Sequence, residues 1–354
     1  MPVFVLCLLS VSGLVLFFVG PTARETADAV ARAVAEGDVV QGGISAHFDA
    51  EVERSHPYRD VAMPVIAALR YLILRQGSSG VVVGREGWLF SDEELQHHPG
   101  DAGRLRNRLQ YVHDVAAYLD EVYGAHLAIV IVPSKARIAA ARVPSYLRPT
   151  TAHERLRRAV EGLAASNMTV INAAEQISPK EFFRRDTHWR PGGAAKVAQA
   201  LTTAIPEFNG FGTEYQLQHK PEETLPGDLL SFVPVGRWSD HLGLTAERFR
   251  PVEAVLGEDP SEGGGLFDTP EIPIALVGTS YSADQRFGFQ AALQHALRGD
   301  VLNVAEPAGG PFGPMEAYLH GETIGEIPPQ LVVWEIPERY LTIPTIGTPE
   351  SPKR

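Results

Sequence analysis

One cysteine, Cys7, is all that this chain of 354 residues contains. A single thiol excludes an intramolecular disulfide and any cysteine-based metal site. Everything beyond Cys7 is thiol-free, which suits an oxidising compartment. Basic residues are also in deficit: 31 Lys and Arg against 43 Asp and Glu give a formal net charge of -12. That balance argues against nucleic acid as a partner, and an anionic substrate would need a local basic patch. There is no internal repeat and no low-complexity tract. With 21% charged and 44% hydrophobic residues, the composition is not that of a disordered chain. The length allows one large domain or two smaller ones.

Long apolar runs are scarce as well, and the exception is at the N-terminus. Val3 to Val19 is almost wholly apolar and uncharged, long enough to span a bilayer as a helix. No basic residue precedes it, and Gly20-Pro21-Thr22-Ala23 is a poor cleavage region. An uncleaved membrane anchor over residues 1–23 is therefore expected, with a cleaved signal or a buried core helix as the alternatives. Residues 24–80 read as a polar-faced helical stalk or cap, with a turn at Gly42-Gly43.

Further along, the pattern alternates. Val81 to Phe90 reads as a hairpin around a Gly-containing turn. Helical spacing marks about Arg104 to Tyr123, His153 to Ala165, Pro191 to Ala204, and a segment carrying Phe289, Leu293 and Leu297. Short apolar runs mark strands at Leu127 to Val132, Thr169 to Asn172, Ile274 to Val277, Val301 to Val304 and Leu331 to Ile336. Residues 206–270, rich in Pro, Gly and acids, read as long loops, a lid or an edge. Strands alternating with helices predict an α/β fold with a mostly parallel sheet covered on both faces. Ligands of such sheets sit beyond the carboxyl ends of the strands.

Two strings carry the chemistry. Asp186-Thr187-His188-Trp189 sets a carboxylate and an imidazole two residues apart, and Gly278-Thr279-Ser280 puts a serine just past an apolar strand. A serine hydroxyl becomes a nucleophile when a histidine takes its proton and a carboxylate orients that histidine. The pattern thus predicts acyl transfer with Ser280 as nucleophile, His188 as base and Asp186 as orienting acid. Bland readings stand beside this one. Ser280 could simply cap a helix, His188 could be structural, and Asp-x-His could be a metal pair, although no third ligand has supporting spacing. Ser282 stands where a Gly-x-Ser-x-Gly elbow needs glycine, so the usual α/β-hydrolase is disfavoured. The Ser280 N–H and the turn at Gly309-Gly310 are candidate oxyanion donors. Arg184, Arg185 and Arg190, with Lys196 beyond, form a cationic string beside the Asp/His pair, and with Tyr281 they are candidate substrate-binding residues. No metal and no cofactor are expected.

The string from Arg184 to Ala194 resembles the Asp-x-His-Trp block of the AlgJ/AlgX family, the SGNH-hydrolase-like proteins of bacterial alginate O-acetylation. Val277 to Ser282 is similar to that family's nucleophile block. Gly84 to Phe90, Val132 to Arg137, the glycine turn leading to Tyr318-Leu319, and Trp334 to Tyr340 also match, in order. The resemblance implies an SGNH-like three-layer domain over residues 81–345, with a tail at 346–354 and a circularly permuted motif order, the serine following the Asp/His pair. It implies a membrane-anchored, AlgJ-like type without the C-terminal carbohydrate-binding module of AlgX-like members. It implies O-acetyl transfer to an exopolysaccharide (alginate or a related polyuronate) through an acetyl-serine, in the periplasm at the inner membrane. A membrane-bound O-acyltransferase partner would supply the acetyl groups. The alternatives are a polysaccharide acetylesterase and an idle polysaccharide-binding or scaffold subunit.

Overall fold

The computed structural model describes residues 59–147, 150–164, 168–257, 272–347 and 351–352. The apolar run Val3 to Val19 and most of the expected stalk lie outside them. The chain divides into two units, residues 1–72 with 234–238, and residues 73–233 with 239–354.

In the smaller unit the described part is a helix, α1 (Arg59–Leu69), and a short turn, Gly236–Trp238, beside its Pro64. This helix falls within the expected stalk or cap, most of which lies outside the described residues. Met63, Val65 and Ile66 are all exposed.

The larger unit begins with a hairpin of β1 (Val81–Val83) and β2 (Leu89–Ser91), paired antiparallel as the sequence predicts. There follow α2 (Asp101–Tyr123), β3 (His126–Val132), α3 (Lys135–Ile138), α4 (Thr150–Leu163), β4 (Thr169–Asn172) and α5 (Pro191–Ala204). The region expected to be loops instead holds two small antiparallel ribbons. In one, β5 (Tyr215–His219) pairs with β8 (Val252–Leu256); in the other, β6 (Glu223–Leu225) pairs with β7 (Glu247–Phe249). Strands this short, with mostly half-exposed side chains, leave little period-2 signal to read. The chain ends with β9 (Ile274–Val277), α6 (Ser280–Ala283), α7 (Phe289–Leu297), β10 (Val301–Asn303), α8 (Phe312–His320), α9 (Thr323–Glu326) and β11 (Leu331–Pro337).

Five of these strands make one parallel sheet in the order β10-β9-β11-β3-β4. Both of its faces are covered, which is why its strands read as unbroken apolar runs. Ala128, Val130 and Val132 of β3 pack toward Trp189, Tyr281, α5 and α7. The alternate residues Leu127, Ile129 and Ile131 pack toward α2, α4 and α8. The chain builds β3 and β4 on one side, crosses to β9 and β10, and returns to place β11 between. Such a reversal opens a crevice at the carboxyl ends of the strands.

Candidate active site

Ser280 stands at that crevice, in the turn between β9 and α6. The turn is held from below by Glu335, the single acid of the buried strand β11. Its carboxylate accepts from the Thr279 N–H at 2.8 Å and from the hydroxyls of Thr279 at 3.0 Å and Ser282 at 3.1 Å. The approach is close enough to require glycine at 278. A Cβ there would lie 2.6 Å from Glu335 Oε2 and 3.1 Å from the Glu335 carbonyl. Burial raises the Glu335 carboxyl above its usual value, although Thr279 and Ser282 donate to its charged form. Thr279 is also the N-cap of α6, and the first residue of a helix has no intrahelical acceptor for its N–H. The Ser280 N–H accordingly has no partner among the described residues.

Asp186 and His188 sit in a loop between β4 and α5, closed at its neck by a bridge between Phe182 and Trp189. His188 Nδ1 is 2.6 Å from Asp186 Oδ1, and His188 Nε2 is 2.7 Å from Ser280 Oγ. With Nδ1–H donated to the carboxylate, Nε2 is left to accept the serine proton. The ring stacks on Phe287 at 4.3 Å and meets Tyr281 at 4.8 Å, so its plane is fixed on both sides. Asp186 also accepts from the N–H groups of His188 at 2.9 Å and Asp228 at 3.0 Å. Burial opposes its charge, yet the His188 hydrogen bond and these N–H groups hold its carboxyl down to about 2.

The loop itself is braced by residues that local sequence patterns did not single out. Lys135 is fully buried at the start of α3. Its ammonium donates to the carbonyls of Asp186 at 2.7 Å and of Phe183 and Arg184 at 3.3 Å. Burial lowers its pKa to about 8, against the pull of Glu94 and Asp228. Asp228 accepts from the Thr187 N–H at 2.8 Å and the Thr187 hydroxyl at 2.6 Å. The glycine before it, Gly227, has φ +92°, and a Cβ there would lie 2.5 Å from the Arg185 carbonyl. A buried lysine inside a Pro-Ser-Lys string and a lone acid inside an apolar strand were the available signals for Lys135 and Glu335. Asp228, in a stretch read as loop, gave none.

The three predicted triad residues are thus brought together, and the other candidates are placed differently. Arg185 is buried and donates to the carbonyls of Thr245 at 2.7 Å and Gly243 at 2.6 Å. Arg190 pairs with Glu247 at 2.6 Å and lies over the Phe183 ring at 4.3 Å. Glu247 also accepts from the N–H groups of Arg184 and Arg185, so it organises the whole string. Lys196 pairs with Glu181 at 2.8 Å. Only the Arg184 side chain is exposed among the three arginines, and the expected cationic patch is mostly a structural brace. Tyr281 is buried, with its hydroxyl donated to the Thr187 carbonyl at 2.6 Å, so it anchors the Asp/His loop rather than facing solvent. Gly309 and Gly310 adopt φ of +83° and +80°. A Cβ on Gly310 would run into the Ile346 side chain, and the Pro311 carbonyl accepts from Trp334 Nε1 at 2.9 Å. Trp334 and Ile346 belong to the face opposite Trp189 and Tyr281, and no hydrogen bond joins this turn to Ser280 or His188 among the described residues. A glycine-rich turn after a strand reads alike whether it faces a site or packs against a tail.

Asp228 also supplies the third metal-ligand type that spacing did not reveal, since ligating atoms of Asp186, His188 and Asp228 lie within 4.8 Å of one another. Each carboxylate oxygen of this set already accepts a hydrogen bond, and His188 is held between Asp186 and Ser280. A metal ion would have to displace that network.

Comparison with known proteins identifies the family. The family profile described as "SGNH hydrolase-like domain, acetyltransferase AlgX" matches residues 81–338. The chain is 36% identical over 314 residues to the "Probable alginate O-acetylase AlgJ" of Pseudomonas putida, covering 83% of this chain and 78% of that protein. It is 34% identical over 324 residues to the protein of the same name from Pseudomonas aeruginosa, covering 87% and 82%. The solved "O-Acetyltransferase Domain of Pseudomonas putida AlgJ" superposes with a TM-score of 0.64 at 34% identity, covering 74% of this chain and 92% of that one. The chain therefore belongs to the AlgJ/AlgX family of SGNH hydrolase-like acetyltransferase domains.

Proposed function

We propose that this protein is an O-acetyltransferase that acetylates alginate or a related polyuronate through an acetyl-Ser280 intermediate. The observation that carries the reading is the continuous line of hydrogen bonds from Asp186 through His188 to Ser280, within a chain of this family. His188 Nε2 takes the hydroxyl proton as Ser280 Oγ attacks the carbonyl of an acetyl donor. The Ser280 N–H faces the developing oxyanion. The intermediate collapses, the donor's leaving group takes the proton from His188, and acetyl-Ser280 remains. A sugar hydroxyl then gives its proton to His188 and attacks the ester, and Ser280 regains its proton. Throughout, Asp186 stays ionised and stabilises the imidazolium. Water in place of the sugar would make the same triad an esterase.

The apolar run Val3 to Val19 and the thiol-free remainder support a periplasmic location at the inner membrane. Relatives that include proteins named as alginate biosynthesis protein AlgX support a place in an alginate-modifying complex, and a membrane-bound O-acyltransferase is the partner this reading needs to supply acetyl groups. Fractionation should place the full chain with the inner membrane, and a mature N-terminus near Ala23 would refute the anchor. The catalytic test is Ser280→Ala. It should lower acetyl transfer to alginate oligosaccharides, and hydrolysis of a small acetyl ester, by about 10⁴-fold or more, with the fold unchanged. A folded Ser280→Ala protein with most of its activity would overturn the reading.

A further inference from the structure

The buried lysine that grips the Asp186 loop, Lys135, is itself seated by two buried acids. Glu94 follows β2 on a single turn, Asp92–Glu94, and is 1% exposed. Its Oε2 accepts from the Ala136 N–H at 2.7 Å. Glu338, just past β11 and fully buried, accepts from the Ser134 N–H at 3.1 Å. The residues on either side of Lys135 are thus each pinned by a carboxylate from a different part of the fold. The two acids differ in their own partners. Glu338 is matched by Arg137 at 2.9 Å and Arg155 at 3.2 Å. Glu94 forms no ion pair among the described residues, and its Oε1 has no hydrogen-bond partner there.

A carboxylate buried in that state needs a charge to answer it through space. Burial raises the Glu94 carboxyl, and of the charges that oppose this Lys135 is the strongest and Arg339 the next. Burial lowers Lys135, and of the charges that oppose this Glu94 is the strongest. The dependence matters because of what the lysine holds. An ammonium has three N–H donors, and the loop presents it with three carbonyls, those of Phe183, Arg184 and Asp186. The neutral amine keeps two donors and turns a lone pair toward the third carbonyl. Only the charged lysine fits the loop. The other groups facing this pair are the carboxylates of Asp228, Asp186 and Glu247 on the side of Lys135, and Arg339 on the side of Glu94. Arg339 is itself paired with Glu93 at 3.3 Å, and the Tyr281 hydroxyl lies in the field of Arg339, Glu94 and Glu335.

We infer that Glu94 is a positioning residue for acetyl transfer, acting through Lys135: it seats the start of α3 and keeps the ammonium charged, and the ammonium holds the Asp186 and His188 loop against Ser280. The inference rests on the acetyl-transfer reading above, because the loop it positions is the one that activates Ser280. It gives the reaction an alkaline limit set by a lysine with no exposed surface. With Lys135 at about 8, activity is held at lower pH and is lost as pH rises through that value.

Two substitutions at Glu94 separate charge from shape. Glu94→Gln keeps an oxygen for the Ala136 N–H and removes the charge. The alkaline limb of kcat/KM for a small acetyl ester should move to lower pH by about one pH unit, so that Glu94→Gln is about five-fold slower than the parent at pH 8 and differs by no more than about two-fold at pH 6. Glu94→Asp, which keeps the charge, should keep the parental limb even where its rate falls. In Lys135→Met the limb should be gone, and adding Glu94→Gln should leave that profile as it is. Lys135 itself is followed by NMR of Cε-labelled lysine in full-length Ser280→Ala protein, beside the signals of Lys180, Lys196, Lys220 and Lys353. It should titrate near pH 8, and about one pH unit lower when Glu94→Gln is added. An equal loss at pH 6 and pH 8, an unmoved limb in Glu94→Gln, a limb that persists in Lys135→Met, or a Lys135 titration that ignores Glu94 would each overturn the role of Glu94. That titration involves no turnover. It decides the link between Glu94 and Lys135 even if esterase activity survived in Ser280→Ala and sank the acetyl-serine reading.

Discussion

The two arms of the triad are built in different ways. Ser280 is carried by a strand end, and one buried carboxylate, Glu335, fixes its turn. Asp186 and His188 stand in irregular chain, and four distant side chains hold it: Lys135 grips three of the loop's carbonyls, Tyr281 donates to the Thr187 carbonyl, Asp228 accepts from the Thr187 N–H and hydroxyl, and Glu247 from the N–H groups of Arg184 and Arg185. The reason is the obligation of buried backbone to find partners. A strand end has most of its partners in the sheet. The Asp186 loop has backbone bonds at its neck and edges, such as the Phe183 N–H to the His188 carbonyl and the Leu229 N–H to the Arg185 carbonyl, and takes its remaining partners from side chains aimed at it from elsewhere. The arm that carries His188 therefore depends on more of the molecule than the arm that carries Ser280.

That asymmetry predicts where damage will be greatest. Lys135→Met keeps an unbranched apolar chain beneath Trp88 and Phe90 but leaves the Phe183 and Asp186 carbonyls without their donor, while the Arg184 carbonyl keeps only the Leu89 N–H. It should cost roughly 2–4 kcal/mol in denaturant unfolding and lower kcat for a small acetyl ester by about 100-fold. Full activity in Lys135→Met would break the contrast between the arms.

A pH series sharpens it next. The Asp186 carboxyl lies at about 2 against an ordinary 3.8. A depressed carboxyl contributes stability that is fully present above its unfolded value and is lost as pH falls through its folded one. On the order of 2 kcal/mol should disappear between about pH 4 and pH 2, and Asp186→Asn should flatten that part of the profile. An acid limb identical in parent and Asp186→Asn would show that Asp186 is not held as described.

On the nucleophile arm the effect should be smaller and depend on chemistry. Glu335→Gln keeps an acceptor for the Thr279 N–H, whereas Glu335→Leu does not. Because burial already disfavours charge at this position, Gln should keep kcat within about three-fold and Leu should lose about 30-fold, with KM moving little in either. Equal losses in the two variants would mean that shape alone is felt. The smallest effect belongs to Arg184, whose side chain is exposed. Arg184→Ala should change stability by no more than about 0.5 kcal/mol and ester hydrolysis by less than about three-fold.

The same asymmetry decides what could be read from the chain. The parallel sheet is legible because each of its strands is a local apolar run, and the serine is legible because it follows one of them. Asp186 and His188 are legible because they stand two residues apart. Their supports are not, since Lys135, Asp228 and Glu247 lie 41 to 63 residues away and meet the loop only in the fold. The arginine string shows the cost of reading charge without partners. Its neighbours in sequence are cations, while its partners in space are Glu247 and the carbonyls of Gly243 and Thr245.

The central claim is that the two arms meet to load an acetyl group onto Ser280, and mass spectrometry after acid quenching tests it most directly. The full-length protein is mixed with an activated acetyl ester, digested and mapped. An acetyl increment should appear on the peptide carrying Ser280. It should be absent in His188→Ala, and it should clear faster when an alginate oligosaccharide is added than in buffer alone. Steady turnover with no increment at Ser280, or an increment on another residue that clears at the same rate with and without the oligosaccharide, would contradict it.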